Sequence, residues 1–145
     1  CFNKAFADHL GDKENLLHVS RALQGVTLLS GDFTNMEKFI DGETLVYMDP
    51  PYRPLSTSSS FNDYSKDSFN DDSQRRLAQW YSDLDKRNAS LILSNSDPTN
   101  TDPDDDFFLQ LYSGFHIHTV MASRAINSKA EGRGAIRELL ITNDK

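Results

Sequence analysis

Leu45-Val46-Tyr47-Met48-Asp49-Pro50-Pro51-Tyr52 is the stretch that decides how this chain is read. Leu45 to Met48 is an apolar run of strand length. It breaks at a carboxylate, and the two prolines that follow donate no backbone hydrogen bond and hold φ at about −65°. Tyr52 then offers an aromatic face. In open α/β sheets the ligand crevice lies beyond the carboxyl ends of the strands. The run therefore carries an acid, rigid carbonyls and a stacking ring to the place where chemistry sits. The plainer alternative is an ordinary turn after a strand, since Asp and Pro are turn residues.

Such a cluster suits a target whose nucleophile is a planar conjugated amino group, as on adenine. That nitrogen attacks poorly because its lone pair is delocalised into the ring. A site that accepts hydrogen bonds from both amino hydrogens turns the nitrogen toward tetrahedral geometry and offsets the positive charge that develops on attack. Asp49 supplies one acceptor and a negative charge, and the Pro50 carbonyl can supply the other. Tyr52 can hold the ring by stacking, worth roughly 1–3 kcal/mol per base. Acceptors aimed at developing charge are commonly the largest catalytic contribution, on the order of 3 kcal/mol for each well-placed group.

Working outward, Val26 to Leu29 reads as a second short strand, ending in Ser30-Gly31-Asp32-Phe33. Before it, residues 13–24 suit a helix with Leu16, Val19 and Leu23 on one face and Gly25 closing it. Phe33 to Ile40 suggests a short helical turn, and Asp41-Gly42 a turn. Residues 53–67 are rich in Ser, Asn and Asp around Phe61 and Tyr64. Composition allows a surface loop, and length allows a lid over the site. Ser68-x-x-Asp71 resembles a capping box opening a helix with Leu77, Trp80, Tyr81 and Leu84 on one face. Ser90 to Leu93 is the next strand, and Ser94-Asn95-Ser96-Asp97 follows it as a strand-end turn or as a pocket-ordering segment. Asp102-Pro103 reads as an N-cap and first helical residue, with Phe107, Phe108 and Leu111 inward and Gly114 closing. Phe115 to Val120 alternates, which leaves His116 and His118 as surface or supporting residues. Arg137 to Thr142 forms an antiparallel pair with it.

The order Gly-Asp-Phe (31–33), Asp-Pro-Pro-Tyr (49–52), Ser-Asn-Ser-Asp (94–97), then Ser123-Arg124-x-Ile126-Asn127 and Arg133-Gly134 before the final strand resembles the Dam-like (D12 class) family of adenine-specific DNA methyltransferases. The similarity spans nearly all of residues 14–143. It implies an α/β chain with part of a Rossmann-like, S-adenosylmethionine-dependent methyltransferase fold: a mixed sheet ending in an antiparallel hairpin, with the early strands missing. It implies catalytic roles for Asp49, Pro50, Pro51 and Tyr52, and contacts to S-adenosyl-L-methionine from Asp32, Phe33 and Asp49. Arg124, Asn127 and Arg133 are candidates for contacts to double-stranded DNA. Members of the family open with an aromatic-x-Gly-x-Gly cofactor loop, which has no counterpart here. The expectation is a C-terminal part of a catalytic domain, with residues 1–13 as a possible tail of the target-recognition domain. A second copy, or the missing N-terminal half, is a further possible partner. A methyltransferase acting on RNA or a protein amide, and a non-enzymatic binding or assembly module, are the alternatives.

Composition fits this reading with one tension. The 145 residues are 37% hydrophobic and 26% charged, as in a globular domain. No run has the length of a membrane span, and a lone cysteine, Cys1, fits a reducing cytoplasm. Four scattered histidines lack ligand spacing, so no metal site is expected. The net charge of −7 is awkward for a DNA partner, because phosphate contacts need Lys or Arg. Acidic residues concentrate at 63–72 and 102–106, where they read as solvated helix starts. Residues 123–137 carry Arg124, Lys129, Arg133 and Arg137 against Glu131.

Overall fold

The computed structural model describes residues 12–53, 69–123 and 135–144. The chain divides into two compact units, Cys1–Asn35 and Met36–Lys145. In the first, helix α1 (Lys13–Ala22) starts where the Asp12 carboxylate accepts from the amides of Glu14 and Asn15. Gly25 takes φ +83° just past its end, a conformation that favours glycine. Leu16, Val19 and Leu23 share a face as expected, yet all three are exposed. The strand expected at Val26–Leu29 is not formed: these residues are irregular and exposed, because a strand needs a paired neighbour and none is present among the described residues. Gly31, at φ +114°, turns the chain into Asp32, and a Cβ there would stand 3.1 Å from the Asn35 side chain. A 3-10 helix, Phe33–Phe39, follows.

The second unit is a four-stranded mixed sheet in the order β1-β2-β4-β3. Its strands are β1 (Leu45–Met48), β2 (Ser90–Ser96), β3 (His116–Ser123) and β4 (Ala135–Thr142). β1 and β2 are parallel, joined through helix α2 (Asp71–Asp85), and β4 runs antiparallel to both β2 and β3. This is the mixed sheet with an antiparallel pair that the sequence suggests. Register sets one face. Met48 lies beside Leu93, Leu93 beside Ile141, and Ile141 beside Ile117. α2 covers that face with Leu77, Ala78, Trp80, Tyr81 and Leu84, all buried. Tyr81 meets Tyr112 and Phe115 edge-on at 5.5 and 4.8 Å between centroids, geometry that aromatic quadrupoles favour. Asn143 ties the end of β4 to the α2–β2 junction through Asp85, the Ala89 carbonyl and the Leu91 amide.

Several local expectations change. α2 is capped by Asn70, which accepts from the Ser73 amide; Ser68 lies outside the described residues. Asp102 caps no helix. Its carboxylate accepts from the Asp104 amide in a tight turn, and the next helix, α3 (Phe107–Leu111), starts only at Phe107. Local side-chain bonding by Asp competes with helix at such positions. Of its apolar residues, Phe108 is fully buried, whereas Phe107 and Leu111 are half-buried. His116 and His118 are exposed. No helix among the described residues is long and apolar enough to cross a membrane.

Candidate active site

β1 ends at Met48, and the motif leaves the sheet beyond the carboxyl ends of the two parallel strands. Asp49 is exposed, and its Oδ1 accepts from the Ser94 hydroxyl at 3.0 Å. Ser94 in turn receives the Tyr47 phenol at 3.2 Å. Hydroxyl donors thus line up from Tyr47 through Ser94 to one carboxylate oxygen, while no hydrogen bond among the described residues takes Oδ2. The Pro50 carbonyl is likewise unengaged among the described residues, and the Pro51 carbonyl accepts from Gln74 Nε2 at 3.2 Å. One carboxylate oxygen and one rigid carbonyl are left as acceptors on adjacent residues.

Tyr52 is half-buried, and its hydroxyl lies 3.4 Å from Glu138 on β4. Burial raises its pKa, and the charges of Glu138 and Asp49 act the same way against a lowering contribution from Ser94. Tyr52 is therefore an un-ionised phenol at neutral pH.

The Ser-Asn-Ser segment is not a turn: Ser94, Asn95 and Ser96 are the last residues of β2, and all are buried. Asn95 Oδ1 accepts the Arg53 amide at 3.2 Å, and Ser96 Oγ donates to the Arg53 carbonyl at 2.9 Å. The pocket-ordering reading of Asn95 is the one the geometry favours.

Arg53 is the site's main electrostatic anchor. Its guanidinium donates to both Asp71 oxygens at 2.8 and 3.2 Å and to Asp105 at 2.6 Å, and it lies 4.4 Å from the Phe107 ring centroid. The Asp71 bonds chiefly raise its pKa. At Asp105, burial pushes the carboxyl up, but the Arg53 bond, the Phe107 amide and the Arg53 charge together bring it below the ordinary value. Each acidic run thus gives one carboxylate to a cation beside the motif, which corrects the expectation of merely solvated helix starts. Arg137 is also engaged, with Asp97 at 3.5 Å and the Thr99 carbonyl at 2.9 Å.

Asp32 and Phe33 lie in the first unit. The Asp32 carboxylate accepts from the amide and hydroxyl of Thr34 at 3.0 and 2.6 Å, so it caps the 3-10 turn, and Phe33 is half-buried. Arg124, Asn127 and Arg133, and the segment 54–67 read as loop or lid, lie outside the described residues. Among the described residues no group of His, Cys, Asp or Glu is arranged to hold a metal ion.

Arg53, Asp71, Asp105, Glu138 and Gln74 carry the site without having been singled out from sequence for it. Only Gln74 leaves a trace there: it falls at helical spacing on the Leu77–Tyr81–Leu84 stripe, a polar residue where an apolar one is expected.

The family model described as D12 class N6 adenine-specific DNA methyltransferase matches residues 2–126. A Type II methyltransferase, M.MjaIII, of Methanocaldococcus jannaschii is 50% identical over 133 residues, covering 91% of this chain and 44% of the relative. A Type II methyltransferase of Lactococcus lactis, M1.LlaDCHI, is 34% identical over 134 residues, covering 91% and 45%. A DNA adenine methylase of Haemophilus influenzae is 28% identical over 137 residues, covering 94% and 46%. The chain spans less than half the length of these relatives.

Proposed function

The chain belongs to the D12 class N6 adenine-specific DNA methyltransferase family, and from that premise we propose that it carries the catalytic motif of an enzyme that methylates the exocyclic amino group of adenine in double-stranded DNA. The observation that carries the reading is the pair of acceptors at Asp49 Oδ2 and the Pro50 carbonyl, which take no hydrogen bond among the described residues, just before Tyr52 in the chain. An adenine amino group is out of reach inside the stack, so the target nucleotide swings out of the duplex. Tyr52 stacks on the base. Asp49 Oδ2 and the Pro50 carbonyl accept the two amino hydrogens, and Pro51 holds the carbonyl rigid between them. The nitrogen lone pair is then directed at the methyl carbon, and the Asp49 charge offsets the positive charge that grows on the nitrogen.

S-adenosyl-L-methionine supplies an activated methyl group on a sulfonium. An exposed Asp49 carboxylate whose Oδ2 takes no hydrogen bond among the described residues supports a role toward such a cosubstrate. In this reading Asp32 and Phe33 hold its adenine end, and the Asp49 carboxylate faces its charged end. Arg124, Asn127 and Arg133 contact DNA phosphates. The four-stranded sheet is part of a Rossmann-like methyltransferase sheet, and the enzyme works in the cytoplasm.

The test is methyl incorporation by the full-length protein into duplex DNA, with RNA as comparison. Transfer to DNA that disappears in Asp49→Ala is expected. Unchanged transfer in that variant, or a preference for RNA, would overturn the assignment.

A further inference from the structure

Gln74 has a burial that the chemistry of Asp49 and Tyr52 does not explain. It lies in the first turns of α2, it is completely buried, and it shares its face with Leu77, Tyr81 and Leu84. A primary amide in such a place is destabilising unless both its ends are hydrogen-bonded. Both are. Nε2 donates to the Pro51 carbonyl at 3.2 Å, and Oε1 accepts from Asn95 Nδ2 at 3.3 Å. The other end of the Asn95 amide accepts the Arg53 N–H at 3.2 Å.

The Pro51 carbonyl belongs to the peptide plane before Tyr52, and the Arg53 N–H belongs to the plane after it. Peptide units are planar, so fixing both planes fixes φ and ψ of Tyr52. That in turn sets the direction of its Cα–Cβ bond, the base from which the ring is carried. Gln74 and Asn95, paired with each other, are therefore a two-point template for one residue. The capture of the Pro51 carbonyl also separates it from the Pro50 carbonyl, which takes no hydrogen bond among the described residues.

We propose, on the reading that Tyr52 stacks on the extruded base and the Pro50 carbonyl accepts its amino hydrogen, that Gln74 is a positioning residue for this reaction. It acts through the main chain of the motif and touches neither base nor cosubstrate. A misplacement of about 1 Å in a reacting array costs on the order of 100-fold in rate. Its loss should therefore appear in kcat.

The experiment uses the full-length protein and two substitutions of similar volume. Gln74→Met removes the donor and the acceptor. Gln74→Glu keeps the acceptor for Asn95 and replaces the donor with a carboxylate oxygen. Methyl transfer to duplex DNA is measured alongside thermal unfolding, and 2-aminopurine is placed at the methylated adenine to read stacking of the extruded base. Expected is a kcat lowered roughly 10- to 100-fold in both variants, with KM for the cosubstrate within threefold. The 2-aminopurine emission should be brighter than with the unaltered protein and close to that of Tyr52→Ala. A folded Gln74→Met with kcat within threefold and unchanged emission removes the positioning role. Asp49→Ala in the same assay separates the two claims. If the unaltered protein methylates DNA and Asp49→Ala does not, a normal Gln74→Met sinks only this inference. If the unaltered protein transfers nothing to DNA, the adenine reading falls and this inference with it.

Discussion

Replacing Arg53 by methionine removes the cation that ties the motif's exit to two other parts of the fold, and its cost can be worked from the contacts. The Asp71 pair is bidentate, but Asp71 is 42% exposed; a screened pair of that kind contributes ~1 kcal/mol or less. The Asp105 carboxylate is 23% exposed and accepts at 2.6 Å, and a charge-assisted bond in such a site contributes about 1.5–3 kcal/mol. The guanidinium over Phe107 adds roughly 0.5–1 kcal/mol. The total is roughly 3 kcal/mol. For a chain of this size that corresponds to a melting temperature lower by roughly 10 °C. Circular dichroism melts at pH 7 measure it. The pH dependence gives a second check. The Asp105 carboxyl is held below its ordinary value despite burial, so its contribution is present above about pH 4 and is lost as pH falls through the lower folded value. The gap between the two proteins should therefore narrow in melts at pH 3. A difference under about 3 °C at pH 7 would refute the assignment of Arg53 as an anchor.

Other expectations follow from single contacts. Ser94→Ala removes the donor to Asp49 Oδ1 and leaves that carboxylate free to turn; a bond of this class contributes about 1.5–3 kcal/mol, so kcat for DNA methylation should fall roughly 10- to 100-fold, and an unchanged kcat would count against the Tyr47–Ser94–Asp49 alignment. Burial raises the pKa of Tyr81 and of Tyr112 well above the ordinary phenol value. Stability from keeping them un-ionised is fully present below about pH 10 and is lost as pH rises through the folded values. Absorbance at 295 nm should show these two ionising only as the fold melts in alkali, and a reversible titration of all tyrosines near pH 10 would contradict their packing.

Element types in the second unit were largely legible, because they rest on local pattern. Leu45–Met48 and the runs in β2 and β4 are short apolar segments, and the α2 stripe has helical period. Where local signals misled, tertiary pairing was the missing factor. Val26–Leu29 has strand composition but no strand to pair with among the described residues. Asp102-Pro103 has the letters of a helix start, yet the Asp side chain closes a turn on itself. Ser94-Asn95-Ser96 has the letters of a loop, but it stays in the sheet because β4 pairs with it through Leu140, Leu139 and Glu138.

The sequence by itself determined the chemistry on offer: an acid, two prolines and a tyrosine at the end of a short apolar strand, together with the ordered motifs that identify the family. Residue type and spacing along one strand suffice for that, since the strand carries them to the sheet's rim as a block. Only the tertiary structure decided which atoms of that block stay open. Gln74 and Asp71 reach the motif from a helix about 20 residues downstream, Ser94 and Asn95 from the neighbouring strand, Asp105 from the loop beyond it, and Glu138 from β4. Hydrogen bonds across such separations depend on how the chain closes on itself, and no local pattern of residues encodes them.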